Sequence, residues 1–213
     1  MAPCWPRWKW REIPAGWCCV RCRVSRWGGE LTLSLVDGDG QPIFHLSFSL
    51  LRRADGCDLC IGGVQGVCGN LEQVRLLTKR LHGLRPPILL LHVAGALCAA
   101  LGLEHLFAVR NHSHVYRRFT FNRERKNRIA LDYDTLWSEA GGEVWRRNPK
   151  FVRMPLAPQA KPLSEVASNK RAMNRRRYDL LDALRAEVSL RVSQMAAVAL
   201  PARQTVQLDT VIA

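Results

Sequence analysis

Asp58-Leu59-Cys60-Ile61-Gly62-Gly63-Val64-Gln65-Gly66-Val67-Cys68-Gly69-Asn70 is the stretch that decides the fold. Asp58–Ile61 reads as a short strand, and residues 62–70 as a Gly-rich loop. Leu71, Val74, Leu77 and Leu81 then recur at helical spacing. Asn70 is a good N-cap, Glu72 suits the positive end of the helix dipole, and Gly83 is a natural stop. A strand, a glycine loop and a helix in that order let backbone amides approach a phosphate closely. Gly62, Gly63, Gln65, Gly66, Gly69 and Asn70 are therefore candidate cofactor-binding residues. The plainer alternative is that the glycines serve a bulge and a tight strand-to-helix turn. No Gly-Lys-Ser/Thr follows, so the stretch is not a P-loop.

Before this unit, Leu31, Leu33 and Leu35 alternate with Thr32 and Ser34, a half-buried strand pattern. Asp37-Gly38-Asp39-Gly40 is a turn, and 43–50 alternates again, which predicts a β-hairpin. Residues 1–26 show no periodicity and read as an irregular stretch. After the unit, Pro86-Pro87 can open a helix whose run 88–101 is apolar nearly all round, as in a buried helix. A short strand is expected at 104–110, a helix at 134–140 capped by Asp134 with Trp137 in the core, and a strand at 151–154. Pro158 and Pro162 mark a linker. A long helix over about 165–195 carries a Leu181, Leu184, Val188 and Val192 stripe. The order predicts an α+β fold with antiparallel strands. The expected division is an irregular 1–26, one domain over 27–195 and a flexible tail over 196–213.

The 213 residues carry 32 Lys and Arg against 18 Asp and Glu, a formal charge of +14. Hydrophobic residues at 47% exclude a disordered chain, and 15 Gly with 11 Pro exclude a collagen-like one. No run reaches the ~18–20 apolar residues of a membrane span. The N-terminus lacks a continuous apolar segment, so no secretory signal is expected. The basic excess clusters at 110–128 (+6) and 146–177 (+9), around an acidic 129–145 (−4). That pattern suits either a polyanion partner or a merely solvated basic surface. Among partners, an anionic ligand, lipid surface or envelope component ranks above nucleic acid, since no nucleic-acid-binding signature accompanies the arginines.

The 8 Cys include two CxxC pairs, Cys19/Cys22 and Cys57/Cys60. On a strand, residues three apart face opposite sides, so one metal could not take both Cys57 and Cys60. No metal site is expected, and reduced, buried thiols are.

Five motifs in sequence order resemble one family. They are Ile61-Gly62-Gly63-Val64-Gln65-Gly66; Leu77 to Pro86 (LTKRLHGLRP); Val109 to Arg117 (VRNHSHVYR); Asp132-Tyr133-Asp134-Thr135-Leu136-Trp137 with Gly141-Gly142; and Lys170-Arg171-Ala172 with Arg175-Arg176-Arg177-Tyr178 and Leu180-Leu181-Asp182. They resemble the VirK/YbjX family of Gram-negative bacteria from about Trp27 to Asp182. The resemblance implies association with virulence, envelope integrity, stress and tolerance of cationic antimicrobial peptides, and no established reaction. It also implies a longer N-terminal region, and a cytoplasmic location or one peripheral to the inner membrane. The element order is similar to the central part of an acyl-CoA N-acyltransferase fold, in which a strand, loop and helix cradle the CoA pyrophosphate. That fold's Gln/Arg-x-x-Gly-x-Gly/Ala signature is not met, since Cys68 stands third after Gln65 and Gly69 comes one place late.

Two functions stay open. One is an acyltransferase-like enzyme with an acyl-CoA cofactor at Gly62–Asn70. Its catalytic candidates are His114, Tyr116, Asp132 and Asp134, with His112 on the same face as His114 of an extended chain. The other is a non-enzymatic basic adaptor using Arg85, Arg117, Arg118, Arg175, Arg176 and Arg177. More plainly, His114 is structural, the acidic island 132–139 pairs with basic neighbours, and part of the 171–177 arginine set packs on that island.

Overall fold

The computed structural model describes residues 31–67, 69, 71–114, 131–157 and 160–199, together with the backbone of 19–24; for 197–199 the backbone alone is described. Expectations on Asn70, Cys68, Tyr116, Arg117, Arg118 and Pro158 lie outside the described residues.

The described strands are β1 (Cys19–Val24), β2 (Leu31–Val36), β3 (Pro42–Arg52), β4 (Cys57–Gly66), β5 (Leu106–Val109), β6 (Glu143–Val144) and β7 (Phe151–Met154). The helices are α1 (Leu71–Arg80), α2 (Pro86–Ala100), α3 (Tyr133–Glu139) and α4 (Ser168–Ala199). The strands form one seven-stranded sheet in the order β1-β2-β3-β4-β5-β7-β6. Every neighbouring pair is antiparallel except β4 and β5. This is the expected α+β architecture. The parallel pair needs a crossover, which α1 and α2 supply.

The hairpin forms where the alternation places it. Phe44, Leu46 and Phe48 are buried while His45, Ser47 and Ser49 are half-buried. Thr32 and Ser34 depart from the half-buried reading, because both faces of β2 are covered. Ser34 Oγ lies 2.9 Å from Nδ1 of His45, its cross-strand neighbour. Residues 1–26 were expected to be irregular, yet 19–24 pair residue for residue with β2. The alternation of Val20, Cys22 and Val24 with Arg21 and Arg23 is the strand signal that the reading of 1–26 as irregular misses, and the backbone edge of β2 is what it pairs with.

The Gly-rich stretch departs most from its reading. Strand β4 runs on through Gly66, paired to β3 along its length, so 62–66 is strand rather than loop. Ser47 pairs with Gly63 and Phe48 with Ile61, which leaves Gly62 as the extra residue of a β-bulge. At Gly63 and Gly66 close neighbours exclude a side chain. A Cβ on Gly63 would lie 3.0 Å from both His114 Nε2 and the Tyr133 hydroxyl, and one on Gly66 would lie 3.1 Å from Phe44 Cζ. Only 67–70 turns. Helix α1 follows with Leu77 buried and Val74 half-buried, but Leu71 is exposed, and His82 and Gly83 end the helix at positive φ.

Helix α2 is buried almost all round, as its composition requires. It packs against β2, β3 and β4 on one side and α4 on another. Leu181, Leu184 and Val188 of α4 meet the core, while Val192 is only partly covered. Where α2 meets the segment after β7, a Cβ on Gly95 would come within 2.4 Å of the Leu156 carbonyl oxygen. Gly95→Ala should therefore destabilise the protein by about 1–3 kcal/mol through overpacking, although Ala favours a helix by about 1 kcal/mol over Gly. The denaturant midpoint of the variant measures it.

Candidate functional site

Strands β4 and β5 pair only at Leu59–Leu106, Cys60–Phe107 and Ile61–Ala108. Beyond Ile61, β4 stays with β3, and beyond Ala108, β5 stays with β7, so the parallel pair parts toward its carboxyl end. The carbonyl of Val64 on β4 accepts a hydrogen bond from the Tyr133 hydroxyl at 3.1 Å. The carbonyl of Val109 on β5 accepts one from the Trp137 indole at 2.9 Å. The two rings are one helical turn apart on α3 and stack with centroids 5.4 Å apart and planes 8° apart. A stacked pair thus stands between the parted strands and satisfies a carbonyl on each. His114 joins the group, buried, with its ring 5.1 Å from that of Tyr133.

Asn111 and Asp132 fix this arrangement. Asp132, not Asp134, caps α3, accepting from the Thr135 amide and hydroxyl. It lies one residue before the first helical position, where an N-cap oxygen can reach the free amides. Asn111 donates its side-chain amide to Asp132 and accepts from the Tyr133 amide at 3.1 Å. The Thr135 hydroxyl, then the Asn111 amide, hold the Asp132 carboxyl below the usual carboxylate range. Asp134 pairs with Arg110 at 3.2 Å and accepts from the Asn111 amide nitrogen. Both carboxylates are thus committed to the architecture of this end.

His112 and His114 do not share a face. Residues 111–113 form a single 3-10 turn, which leaves His112 exposed and turns His114 inward. The acidic island is met by Arg110, and by Arg85, which pairs with Glu139, rather than by the α4 arginines. Arg177 instead donates twice to the His82 carbonyl, at 2.7 and 3.1 Å, and Arg171 donates to the Val166 carbonyl. Arg175 and Arg176 are exposed. Gly62, Gly63, Gln65 and Gly66 lie on β4, and Gly69 lies in the turn to α1 at φ +86°, with open space where a Cβ would be. The structure therefore gathers Gly63, His114, Asp132 and Asp134 at one end of the sheet and leaves Arg175 and Arg176 apart on α4. Tyr133 and Trp137 were not read as site residues. The signal was their spacing of four around an N-cap aspartate, which reads equally as core.

Cys60 and Cys98 are buried and Cys57 is half-buried. Burial, and then the negative charge of Asp58, push the Cys60 and Cys98 thiols up to about 11. Among the described residues no group of three or more His, Cys, Asp or Glu is placed to hold a metal. At pH 8 a thiol of that pKa is about one part in a thousand thiolate. Ellman titration of folded protein should therefore give at least two thiols fewer than titration in guanidinium. Equal counts would show that the two sites open on the assay timescale.

Among the described residues no helix is long and apolar enough to cross a membrane. Comparison with known proteins matches the YbjX protein of Escherichia coli K12, an uncharacterised protein, at 31% identity over 163 residues, 76% of this chain and 48% of that one. Two uncharacterised proteins of Haemophilus influenzae match at 27% over 172 residues and 33% over 144 residues, covering 54% and 45% of their lengths. The chain thus spans about half the length of these curated relatives. A solved structure, a KacTA–DNA complex, overlays 59% of this chain and 67% of its own at 16% identity and a TM-score of 0.32. Residues 15–189 match the model of a family described as protein of unknown function, DUF535, so the match begins before Trp27 and passes Asp182; with five ordered motifs and the YbjX relative, the chain belongs to this VirK/YbjX family.

Proposed function

We propose that the domain binds a phosphorylated acyl carrier, acyl-CoA being the reference case, at the carboxyl end of the β4/β5 pair and transfers its acyl group. The observation that carries this reading is the one parallel pair among the described strands of an otherwise antiparallel sheet, parting beyond Ile61 and Ala108. Ligands of sheets with helical crossovers gather outside the carboxyl ends of strands, where the connections diverge. The turn from β4 into α1 lies at that end, and Gly69 leaves its backbone open to a phosphate. His114 and the Tyr133 hydroxyl are the acid–base candidates, because Asp132 and Asp134 are tied to Thr135, Asn111 and Arg110. In the reaction an acceptor amine attacks the thioester carbonyl, His114 takes the amine proton, and the C–N bond forms as the C–S bond breaks. The His114 imidazolium returns the proton to the departing thiolate, so the products are an amide and the carrier thiol. The envelope and stress association implied by the family resemblance suits an amine acceptor of envelope chemistry, met from the cytoplasm or the inner-membrane face.

Thermal unfolding with acetyl-CoA and longer acyl-CoAs, against matched ATP, tests this. Ligand at ~100 times its dissociation constant adds about 2.7 kcal/mol, and each kcal/mol moves the midpoint by roughly 2–4 °C in a chain this size. The expected result is a shift with acyl-CoA that ATP does not reproduce. It should be lost in Gly69→Asp and kept in Gly69→Asn, both of which tolerate positive φ. Equal shifts with ATP would overturn acyl-carrier recognition in favour of a basic surface for polyanions, and no shift would overturn both.

A further inference from the structure

A second site lies away from the parted strands. A cleft of about 730 Å³ opens between α2, the end of α3, residues 160–167 and α4. Its volume falls within the roughly 300–1,000 Å³ of small-molecule pockets. Leu84, Leu91 and Leu181 give it an apolar floor. Its lining carries Lys161, Lys170, Arg177 and Arg185 against Glu139, Glu165 and Asp182, a small cationic excess. Glu139 and Asp182 are held by Arg85 and Arg185, whereas Lys161, Lys170 and Glu165 are exposed and carry no ion pair among the described residues, so two lysines stand against one carboxylate.

His92 of α2 also lines the cleft. It is 8% exposed, and its Nδ1 is buried with no hydrogen-bond partner among the described residues. Burial, and then the charge of Arg185, hold its imidazole down at about 4, so it is neutral near pH 7. A neutral imidazole can donate one hydrogen bond and accept another. An unpartnered polar group costs stability, and in a cleft whose floor is Leu84, Leu91 and Leu181 an aliphatic residue would avoid that cost. The histidine therefore points to a ligand that uses it.

We propose that this cleft binds a single-chain amphiphilic anion, with the chain on the leucine floor, the carboxylate or phosphate head at Lys161 and Lys170, and a hydrogen bond from His92. The proposal does not rest on the acyl-carrier reading. It requires neither CoA nor the β4–α1 turn.

Titration calorimetry on the full chain tests it with dodecanoate, dodecyl phosphate, dodecanol and acetate. The expected result is saturable 1:1 binding of dodecanoate or dodecyl phosphate at least tenfold tighter than dodecanol, and none of acetate. Whichever anion binds tighter identifies a fatty acid or a lipid phosphate as the source. Ala167→Trp, which adds bulk at an exposed rim residue, should remove binding. Lys161→Glu with Lys170→Glu should weaken it at least tenfold, and His92→Leu should weaken it with the unfolding midpoint kept or raised. Coenzyme A should not displace dodecanoate, so failure here and failure of the transferase reading are separate results. Equal affinity for dodecanol, unsaturable uptake, or binding indifferent to Ala167→Trp or to the lysine pair would overturn the proposal.

Discussion

Between pH 6.5 and about 4 the protein should lose about 3 kcal/mol of stability through His92 alone. The folded state holds this imidazole at about 4, against an ordinary value of 6.5. In that window the unfolded chain binds a proton that the folded chain refuses, so stability falls as pH falls. The loss should reach about 2 kcal/mol by pH 5 and level off below pH 4. The cause is burial first and then the guanidinium of Arg185, both of which disfavour the imidazolium. Of the carboxylates lining the same cleft, Asp182 is shared with Arg185 and Glu139 with Arg85, while Glu165 is exposed and shares the cleft with Lys161, Lys170 and Arg177, so none offsets this cleanly. Urea unfolding at a series of pH values, for the native chain and His92→Leu, measures the effect. The variant should lack the His92 component, and at pH 7 it should be as stable as the native chain or about 1 kcal/mol more so, because the orphaned Nδ1 is gone. Parallel pH curves would mean that the fold relaxes to solvate the ring. Asp132 acts in the same direction in a more acidic window. Its lowered carboxyl contributes stability above the ordinary carboxylate range, lost as pH falls through the folded value, and His92→Leu leaves that component in place.

Periodicity made the hairpin and α4 legible, because burial of one face writes a 2.0 or 3.6 repeat into the side chains, whereas α2 was legible as a continuous apolar run opened by Pro86-Pro87. Leu181, Leu184 and Val188 are buried as the stripe demands. What failed to show was structure held by backbone or by contacts between distant residues. Strand β1 pairs with the edge of β2, and its own sequence does alternate, Val20, Cys22 and Val24 with Arg21 and Arg23; five residues of period two beside an aperiodic Trp- and Cys-rich stretch are too short a signal to stand out. The glycines of β4 read as loop because glycine is a weak strand former. Their reason is tertiary, for Gly63 makes room for His114 and Tyr133, which stand far along the chain. The candidate site divides the same way. Its acidic members were visible as a cluster, but a sequence could not show whether Asp132 serves chemistry or a helix cap. The stacking of Tyr133 on Trp137 needed coordinates. So did the cleft around His92, which draws its walls from four separate segments.

The second large effect is expected at Trp137. Its side chain is fully buried, stacked on Tyr133, and its indole donates to the Val109 carbonyl where β5 leaves β4. Trp137→Ala removes the ring and leaves a cavity, which should cost about 3–5 kcal/mol, or a fall in unfolding midpoint of roughly 10 °C or more. Trp137→Phe keeps most of the stack but strands the Val109 carbonyl, and should cost about 1–3 kcal/mol. Tyr133→Phe does the same at Val64 on the other strand. If the two rings act as one wedge, the double variant with both Phe should differ from the sum of the singles by more than about 0.5 kcal/mol, since contacting residues are not additive. Amide exchange should then quicken at the ends of β4 and β5 and stay slow at Leu59 to Ile61, where the strands are paired to each other. A Trp137→Ala variant that loses less than about 1 kcal/mol would remove the wedge as the element holding this end of the sheet. The parted strands would then stand open without it, and His114 rather than the ring pair would be the group to probe for access to the site.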